Sequence, residues 1–466
     1  MKVIKFTLPA FEVTWLSIGL IVLIAQPVFA ETIRAAVARS VANSDARQIA
    51  ITSIEAQNKK VSISQSERGV SVELYGELAL EQVDDSTLAG SPDNGETQFG
   101  RQIALVATYS LYDGQSSLNA LYREATLLDA EIIRLSDATE TIALNAVQAY
   151  IDVFRRQNIV TISQENIDVH TRIAAQVEQL VDAGKLSEPD RFQANDKLLA
   201  ARLAHADAKA SLNDAISNYQ FVIGSFAKGA MSVGLDVKLP KNRATVEENA
   251  VKNSFLIQIA QKDIDAFSFQ EVIDAAEWQP RIDLFARGGF EEDVEGTPGS
   301  ETTIATGVRL NWTLYKGGAK TETIARNRDL TMRAYYRKKQ VEDEVRNLAR
   351  RSWNSYVAAV ERKSLLDTTV FNNEKIVDAF KREFEAVKRP LLQVLDAERA
   401  LFNLKVRHAN AEAAVAFQAY RVLAAQSLLS RHFGLSAYGR SLDPDFASRV
   451  KASPRGEFNI TAPPLE

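Results

Sequence analysis

Hydrophobic and polar residues alternate with two different periods along this chain, and the segments that carry them repeat in order. In two short segments the period is two. Ile103, Leu105, Ala107, Tyr109 and Leu111 alternate with Gln102, Ala104, Val106, Thr108 and Ser110, and Val308, Leu310, Trp312 and Leu314 alternate with Gly307, Arg309, Asn311 and Thr313. Such a pattern gives a strand one face for lipid or core and one for water. Partner strands are expected over Val70 to Leu80 and Arg281 to Phe290, with Glu73, Glu77, Asp283 and Arg287 on the polar face. Two hairpins follow, joined by long acidic loops over Glu81 to Gly100 and Glu291 to Thr303.

Elsewhere the pattern is helical and almost free of breaks. Gly and Pro are absent from Gln115 to Ala183 and from Ala319 to Arg389. At about 1.5 Å per residue each run is long enough for a helix of roughly 100 Å, far beyond ordinary globular helices. Ala146, Val153, Val160, Ile167, Ala174 and Val181 recur at seven-residue spacing, as a coiled-coil seam requires. Taken alone, these helices fit a structural coiled-coil envelope protein as well as anything else. The hairpins do not.

The chain also repeats itself. Tyr109 to Gln115 reads YSLYDGQ and Trp312 to Gly318 reads WTLYKGG, 203 residues apart; HADAKA from His205 and HANAEA from His408 keep the same 203-residue offset. The duplicated unit reads as helix, hairpin, very long helix, break, helix. Its first copy is expected over residues 31–240, with the hairpin at about 70–113 and tunnel helices at about 115–223. The second is expected over 241–435, with the hairpin at about 281–315 and tunnel helices at about 319–433.

Lys2 and Lys5 precede an apolar stretch from Trp15 to Ala25, which leads into Pro27-Val28-Phe29-Ala30. This reads as a secretory signal at residues 1–30, cleaved after Ala30, because the apolar run is shorter than the roughly 18 residues of a membrane span. Glu31, not cysteine, follows the cleavage site, so lipid acylation is not expected. Residues 436–466 are rich in Pro, Gly and charge and read as a disordered periplasmic tail.

Composition narrows the chemistry. The chain has no cysteine and a net charge of -5 without a basic patch, which removes thiolate chemistry and gives no footprint for nucleic acid. His170, His205, His408 and His432 are scattered without ligand spacing, and the Gly288-Gly289 pair lacks phosphate-loop spacing. No enzyme, cofactor or metal site is expected.

Four amphipathic strands cannot close a membrane barrel, since the smallest such barrels use about eight. Oligomerisation must supply the others. Tyr109, Tyr112, Trp312 and Tyr315, near the strand ends, suit an aromatic girdle at the lipid interface.

The motifs SLYDG and LNWTLYKGG, and LLQVLDAERALFNLKVRHANAEAA from Leu391, resemble those of the TolC family of outer-membrane exit ducts, over essentially the whole chain from Glu31 to about Leu435. AYRVLAAQSLL, from Ala419, is more similar to the branch serving type I secretion than to the drug-efflux branch. The resemblance implies a mostly helical homotrimer with a transmembrane β-barrel of twelve strands, continued by a periplasmic α-helical tunnel that tapers shut. It implies a passive duct in the outer membrane of a Gram-negative bacterium. The partners implied are a periplasmic adaptor (membrane fusion) protein and an inner-membrane ABC exporter or proton-driven pump, with type I protein secretion the expected role and multidrug efflux the alternative.

The resemblance also places a gate. The family's latch pairs an Arg at the second helix break with an Asp after the first, matched here by Arg389 and Asp190. At the constriction, where the family can carry two acids three residues apart, Gln393 stands at the first position and Asp396 at the second. One carboxylate per chain implies a weaker cation preference than two would give. Phe384 stands where some relatives have Tyr, so no hydroxyl is available there, and Pro390 stiffens the turn. Asp196, Glu398 and Arg399 read as a solvated helix face near this tip.

Overall fold

The computed structural model describes residues 31–84, 95–227, 229–234, 237–294 and 297–435. The expected signal, the tail and most of the first hairpin loop lie outside the described residues.

The chain order is α1 (Ile33–Asn43), α2 (Asp45–Ser66), β1 (Ser71–Gln82), β2 (Thr97–Tyr112), α3 (Ser116–Asp182) and α4 (Glu188–Ile223). It continues with α5 (Arg243–Asn253), α6 (Phe255–Ala276), β3 (Arg281–Val294), β4 (Thr297–Asn311), α7 (Ala319–Glu385), α8 (Leu391–Ala424) and α9 (Leu429–Phe433). The second six elements repeat the first six. Three of the four helix pairs match in length, at 11 residues for α1 and α5, 22 for α2 and α6, and 67 for α3 and α7, and the fourth differs by two, 36 for α4 against 34 for α8.

The capping chemistry repeats as well. The Thr32 and Asn242 side chains accept the Ala35 and Thr245 amides at the starts of α1 and α5, and Ser44 and Ser254 accept the Arg47 and Ile257 amides at the starts of α2 and α6. These caps satisfy orphan amides and set the helix boundaries. The single helix expected before each hairpin is therefore two, separated at a serine cap.

The four strands form one antiparallel sheet in the order β1-β2-β3-β4. Two details differ from the sequence expectation. The β3–β4 ladder continues to Val294 opposite Thr297, so the loop expected over 291–303 is mostly strand. At the other end β4 stops at Asn311, and Trp312 to Tyr315 lie beyond it in the connection to α7. Alternation carries no information about where a ladder runs out of partners.

At 67 residues, α3 and α7 are each about 100 Å long. In its upper part α3 packs between α2 and α6, and lower down between α4 and α8; α7 packs on α5 and α6 above and on α8 below. The main core sits midway along α3. There Tyr150, Val153, Tyr219, Ile223, Tyr420, Leu429 and Phe433 close around α1, and the Tyr150 hydroxyl donates to the Glu31 carbonyl at 2.6 Å. A separate apolar cluster holds the far end of the helices together.

Candidate functional site

The sheet has two chemically distinct faces, and the ladder register assigns each residue to one of them. Val72, Leu74, Leu78 and Leu80 of β1 share a face with Phe99, Ile103, Leu105 and Tyr109 of β2, with Leu284 and Phe290 of β3, and with Ile304, Val308 and Leu310 of β4. All of these side chains are exposed, Leu74 at 70 % and Ile304 at 87 % among them. Glu73, Glu77, Gln102, Asp283, Arg287, Glu291 and Arg309 share the opposite face. Its polar groups bond both across and along strands, as where Gln102 of β2 donates to Glu291 of β3 at 2.7 Å and Arg287, also on β3, donates to the same carboxylate at 2.9 Å. A continuous exposed apolar sheet face opposite a polar one suits lipid outside and water inside. Each strand exceeds the 9–11 residues that cross a bilayer, the shortest being 12.

Neither edge of the sheet is closed. β1 and β4 each pair on one side only, leaving rows of backbone donors and acceptors that hydrocarbon cannot satisfy. The helical wall is open on the same flanks. Beside β1 the wall ends in α2 above and α4 below, where Ile49, Phe192 and Leu203 are exposed; beside β4 it ends in α7, where Tyr336, Leu365 and Phe371 are exposed.

Tyr109 and Tyr112 lie at the helix-side end of β2, 40 % and 42 % exposed, and Trp312 and Tyr315 just past β4, 56 % and 82 % exposed. The Trp312 indole donates to the Trp278 carbonyl at 3.3 Å, which fixes its ring at the junction of sheet and helices.

At the opposite end the two helix turns have the same hydrogen-bond pattern. The Gly184 amide donates to Val181 and Lys185 to Leu180; the Val387 amide donates to Phe384 and Lys388 to Glu383. Gly184 has φ +72° and Val387 φ +56°. Glycine occupies the left-handed position freely, whereas a β-branched residue there is strained.

Asp190 is committed to a capping box, accepting the Ser187 amide at 3.0 Å and its hydroxyl at 2.6 Å. Arg389 donates to Glu383 at 2.6 Å and to Gln393, with its guanidinium 3.6 Å from the centre of the Phe380 ring. The two residues expected to form a latch thus have other partners within one chain. Gln393 and Asp396 lie exposed on one side of the first turns of α8. Phe384 is 3 % exposed and packs with Ile173, Val177, Ala194, Leu391, Val394 and Leu395, so it joins the two helix hairpins through the core.

Glu398 departs from expectation. It is 4 % exposed and ion-paired with Lys381, because it continues the buried stripe of Leu391, Val394 and Leu395 one turn further along α8. His170 is buried too, and burial holds its imidazole below the ordinary histidine range; Glu398 opposes that shift, while Lys197 and Lys381 add to it. A second buried ion pair, Lys262 to Asp129 at 3.2 Å, ties α6 to α3. Sequence reasoning named neither cluster. The helical spacing of Glu398 from Leu391 was the available signal.

Among the described residues no helix is long and apolar enough to cross a membrane, and no group of three His, Asp or Glu is placed to hold a metal ion.

A sheet with one face for lipid and one for water, continued by helices about 100 Å long, defines the subunit of an outer-membrane channel. The profile of the family described as outer membrane efflux protein matches residues 246–425. The outer membrane efflux protein BepC of Brucella suis is 22 % identical over 67 % of this chain and 69 % of its own length. The outer membrane protein TolC of Escherichia coli is 22 % identical over 68 % and 67 %. The cobalt-zinc-cadmium resistance protein CzcC of Cupriavidus metallidurans is 24 % identical over 62 % and 68 %. Among solved structures, CusC superposes with a TM-score of 0.73 at 14 % identity, over 85 % of this chain and 92 % of its own. The Campylobacter jejuni outer membrane channel CmeC gives 0.71 at 13 % identity, over 91 % and 90 %. These structures share the fold. The chain is similar to outer membrane efflux proteins of the TolC family, whose profile it matches over residues 246–425, and is an outer-membrane channel with a large periplasmic part.

Proposed function

We propose that three copies of this chain close into one duct, a twelve-stranded barrel continued by a helical tunnel, which serves as the outer-membrane exit of a tripartite export system. The observation that carries this reading is the agreement of the open flanks. One side of the chain ends in β1, α2 and α4 and the other in β4 and α7, at the level of the sheet, the upper wall and the lower wall alike. Two different surfaces that complete each other head to tail generate a ring. In it β4 pairs with β1 of the next copy, and the aromatics Tyr109, Tyr112, Trp312 and Tyr315 form the periplasmic girdle.

Each repeat supplies one hairpin to the barrel and one pair of helices to the tunnel, over residues 31–240 and 241–435, after a signal at 1–30 and before a tail at 436–466. The turns after α3 and α7 form the gate. Asp190 starts α4 on one flank and Arg389 follows α7 on the other, so the latch between them is a contact between neighbouring copies. Gln393 and Asp396 line the constriction, with one carboxylate per chain. A periplasmic adaptor shifts the closed population towards the open one, and the energy comes from an inner-membrane ABC exporter or proton-driven pump.

The similarity of AYRVLAAQSLL to the secretion branch favours type I protein secretion as the role, with multidrug efflux the second reading. A strain lacking the protein distinguishes them: loss of one exported polypeptide from the medium with unchanged drug susceptibility supports secretion, and the converse supports efflux. The channel reading is tested directly on purified protein. A trimer that is stable in detergent until heated, and that conducts ions across planar bilayers, is expected; a water-soluble monomer that passes no current overturns it.

A further inference from the structure

Ionisable side chains from all four helices of the periplasmic end influence one another electrostatically around one point. These are His170 of α3, Lys197 of α4, Lys381 of α7 and Glu398 of α8. His170 and Glu398 are 5 % and 4 % exposed, whereas Lys197 and Lys381 keep about a third of their side chains in water. The point lies next to the apolar cluster that joins the α3–α4 hairpin to the α7–α8 hairpin.

Ser163, His170 and Val177 are buried at successive seven-residue steps, so His170 occupies a seam position that a coiled coil ordinarily fills with an apolar side chain. The repeat places Asn373, which does not titrate, at the equivalent position of α7. Packing of the repeat therefore does not itself require a titratable group here. The Nδ1 atom of His170 is buried with no hydrogen-bond partner. The carboxylate that faces the imidazole, Glu398, is already matched to Lys381, and Lys197 adds a second cation.

We propose that His170 is an acid-sensitive release for the tip, whose protonation separates the α3–α4 hairpin from the α7–α8 hairpin and shifts the channel towards its open state. The proposal rests on reading this end as the gate. A proton on His170 adds a positive charge beside two lysines whose carboxylates are already matched, Glu398 to Lys381 and Asp196 to Lys197, and a buried charge without a counter-ion is costly. Separating the hairpins lets water reach the imidazole and returns it to its ordinary behaviour. The proton then binds the separated state more tightly than the packed one, so acid favours separation. Between the two pKa values one site shifts the equilibrium up to about tenfold per pH unit. Three chains moving together shift it by up to roughly a thousandfold.

The chain contains no cysteine, which makes the test clean. Spin labels at Lys185→Cys and Lys388→Cys, one on each turn, report hairpin separation in full-length protein in detergent by pulsed distance measurement. The short distance of neutral pH is expected to give way to a longer one as the pH falls from 8 to 5. In His170→Asn the short distance should persist throughout. In Lys197→Met, which removes a repelling cation from a partly exposed position, the packed state tolerates the proton better and the midpoint of separation should move to lower pH. No separation in the parent protein overturns the proposal, as does an unchanged transition in His170→Asn or an unmoved midpoint in Lys197→Met. If His170→Asn does not assemble, the Lys197→Met midpoint decides. Bilayer conductance is read on the same samples: separation without current at any pH refutes the channel reading and leaves the switch standing, whereas current without pH-dependent separation refutes the switch alone.

Discussion

Replacing Val387 by asparagine should strengthen the α7–α8 turn, although it puts a polar side chain in place of an apolar one. Val387 holds φ +56°, the left-handed conformation that brings Cβ against the following carbonyl and costs about 1–2 kcal/mol per residue. Asparagine visits this region readily because its side chain bonds locally. Val387 is 48 % exposed, so the apolar burial lost is a fraction of the ~1.5–3 kcal/mol of a fully buried side chain. The net gain expected is about 1 kcal/mol, a factor of about five in the local opening equilibrium.

The amides of Val387 and Lys388, which donate at 2.8 Å to Phe384 and Glu383, report that equilibrium by hydrogen exchange and should slow by about that factor. The other turn supplies the reciprocal test. Gly184 has φ +72°, and a Cβ built on it meets nothing within 4 Å, so Gly184→Ala introduces conformational strain with no clash. Exchange at Lys185 should accelerate by a comparable factor. Unchanged or faster exchange in Val387→Asn, or unaltered exchange in Gly184→Ala, would refute the reasoning.

Three further outcomes are expected. Arg389→Ala removes the charge-assisted bond to Glu383, the bond to Gln393 and the stacking on Phe380, and should raise closed-state conductance and sensitivity to large antibiotics; an unaltered conductance counts against the gate. Leu74→Arg, on the apolar face, should lower the stability of the membrane-inserted barrel by about 2–4 kcal/mol per chain near the bilayer midplane. Glu73→Arg, on the polar face, should cost far less, and equal effects in denaturant titrations of refolded protein would mean that the faces are assigned wrongly. Lys262→Met leaves Asp129 buried without its lysine and should destabilise the α3–α6 packing by about 3–5 kcal/mol, whereas Lys262→Met with Asp129→Leu should recover most of that loss; a thermal melt in which the double variant is no better than the single one contradicts this.

Local chemistry set most of the architecture. Two periods, the Gly- and Pro-free runs and the 203-residue offset were enough to place both hairpins and both 67-residue helices, since helix continuity and strand alternation depend on neighbours a few positions apart. The polar assignment of Glu73, Glu77, Asp283 and Arg287 agrees with the ladder register for the same reason. Helix caps at Ser44 and Ser254 were readable in principle, because Ser before a helical run is a start signal.

Other features depend on how the elements meet in space. The end of β4 at Asn311 is fixed by where β3 begins to pair, at Arg281. The burial of Glu398 needs α7 to bring Lys381 to it, and the strain at Val387 belongs to a turn whose bonds Gly184 shows could be made without it. Arg389 settles on Glu383, Gln393 and Phe380, and Asp190 on Ser187, because the tight turns bring those nearby side chains together. Periodicity states which face of an element is buried. Which side chains from other elements meet on that face, and with what charge, is decided only when the helices pack.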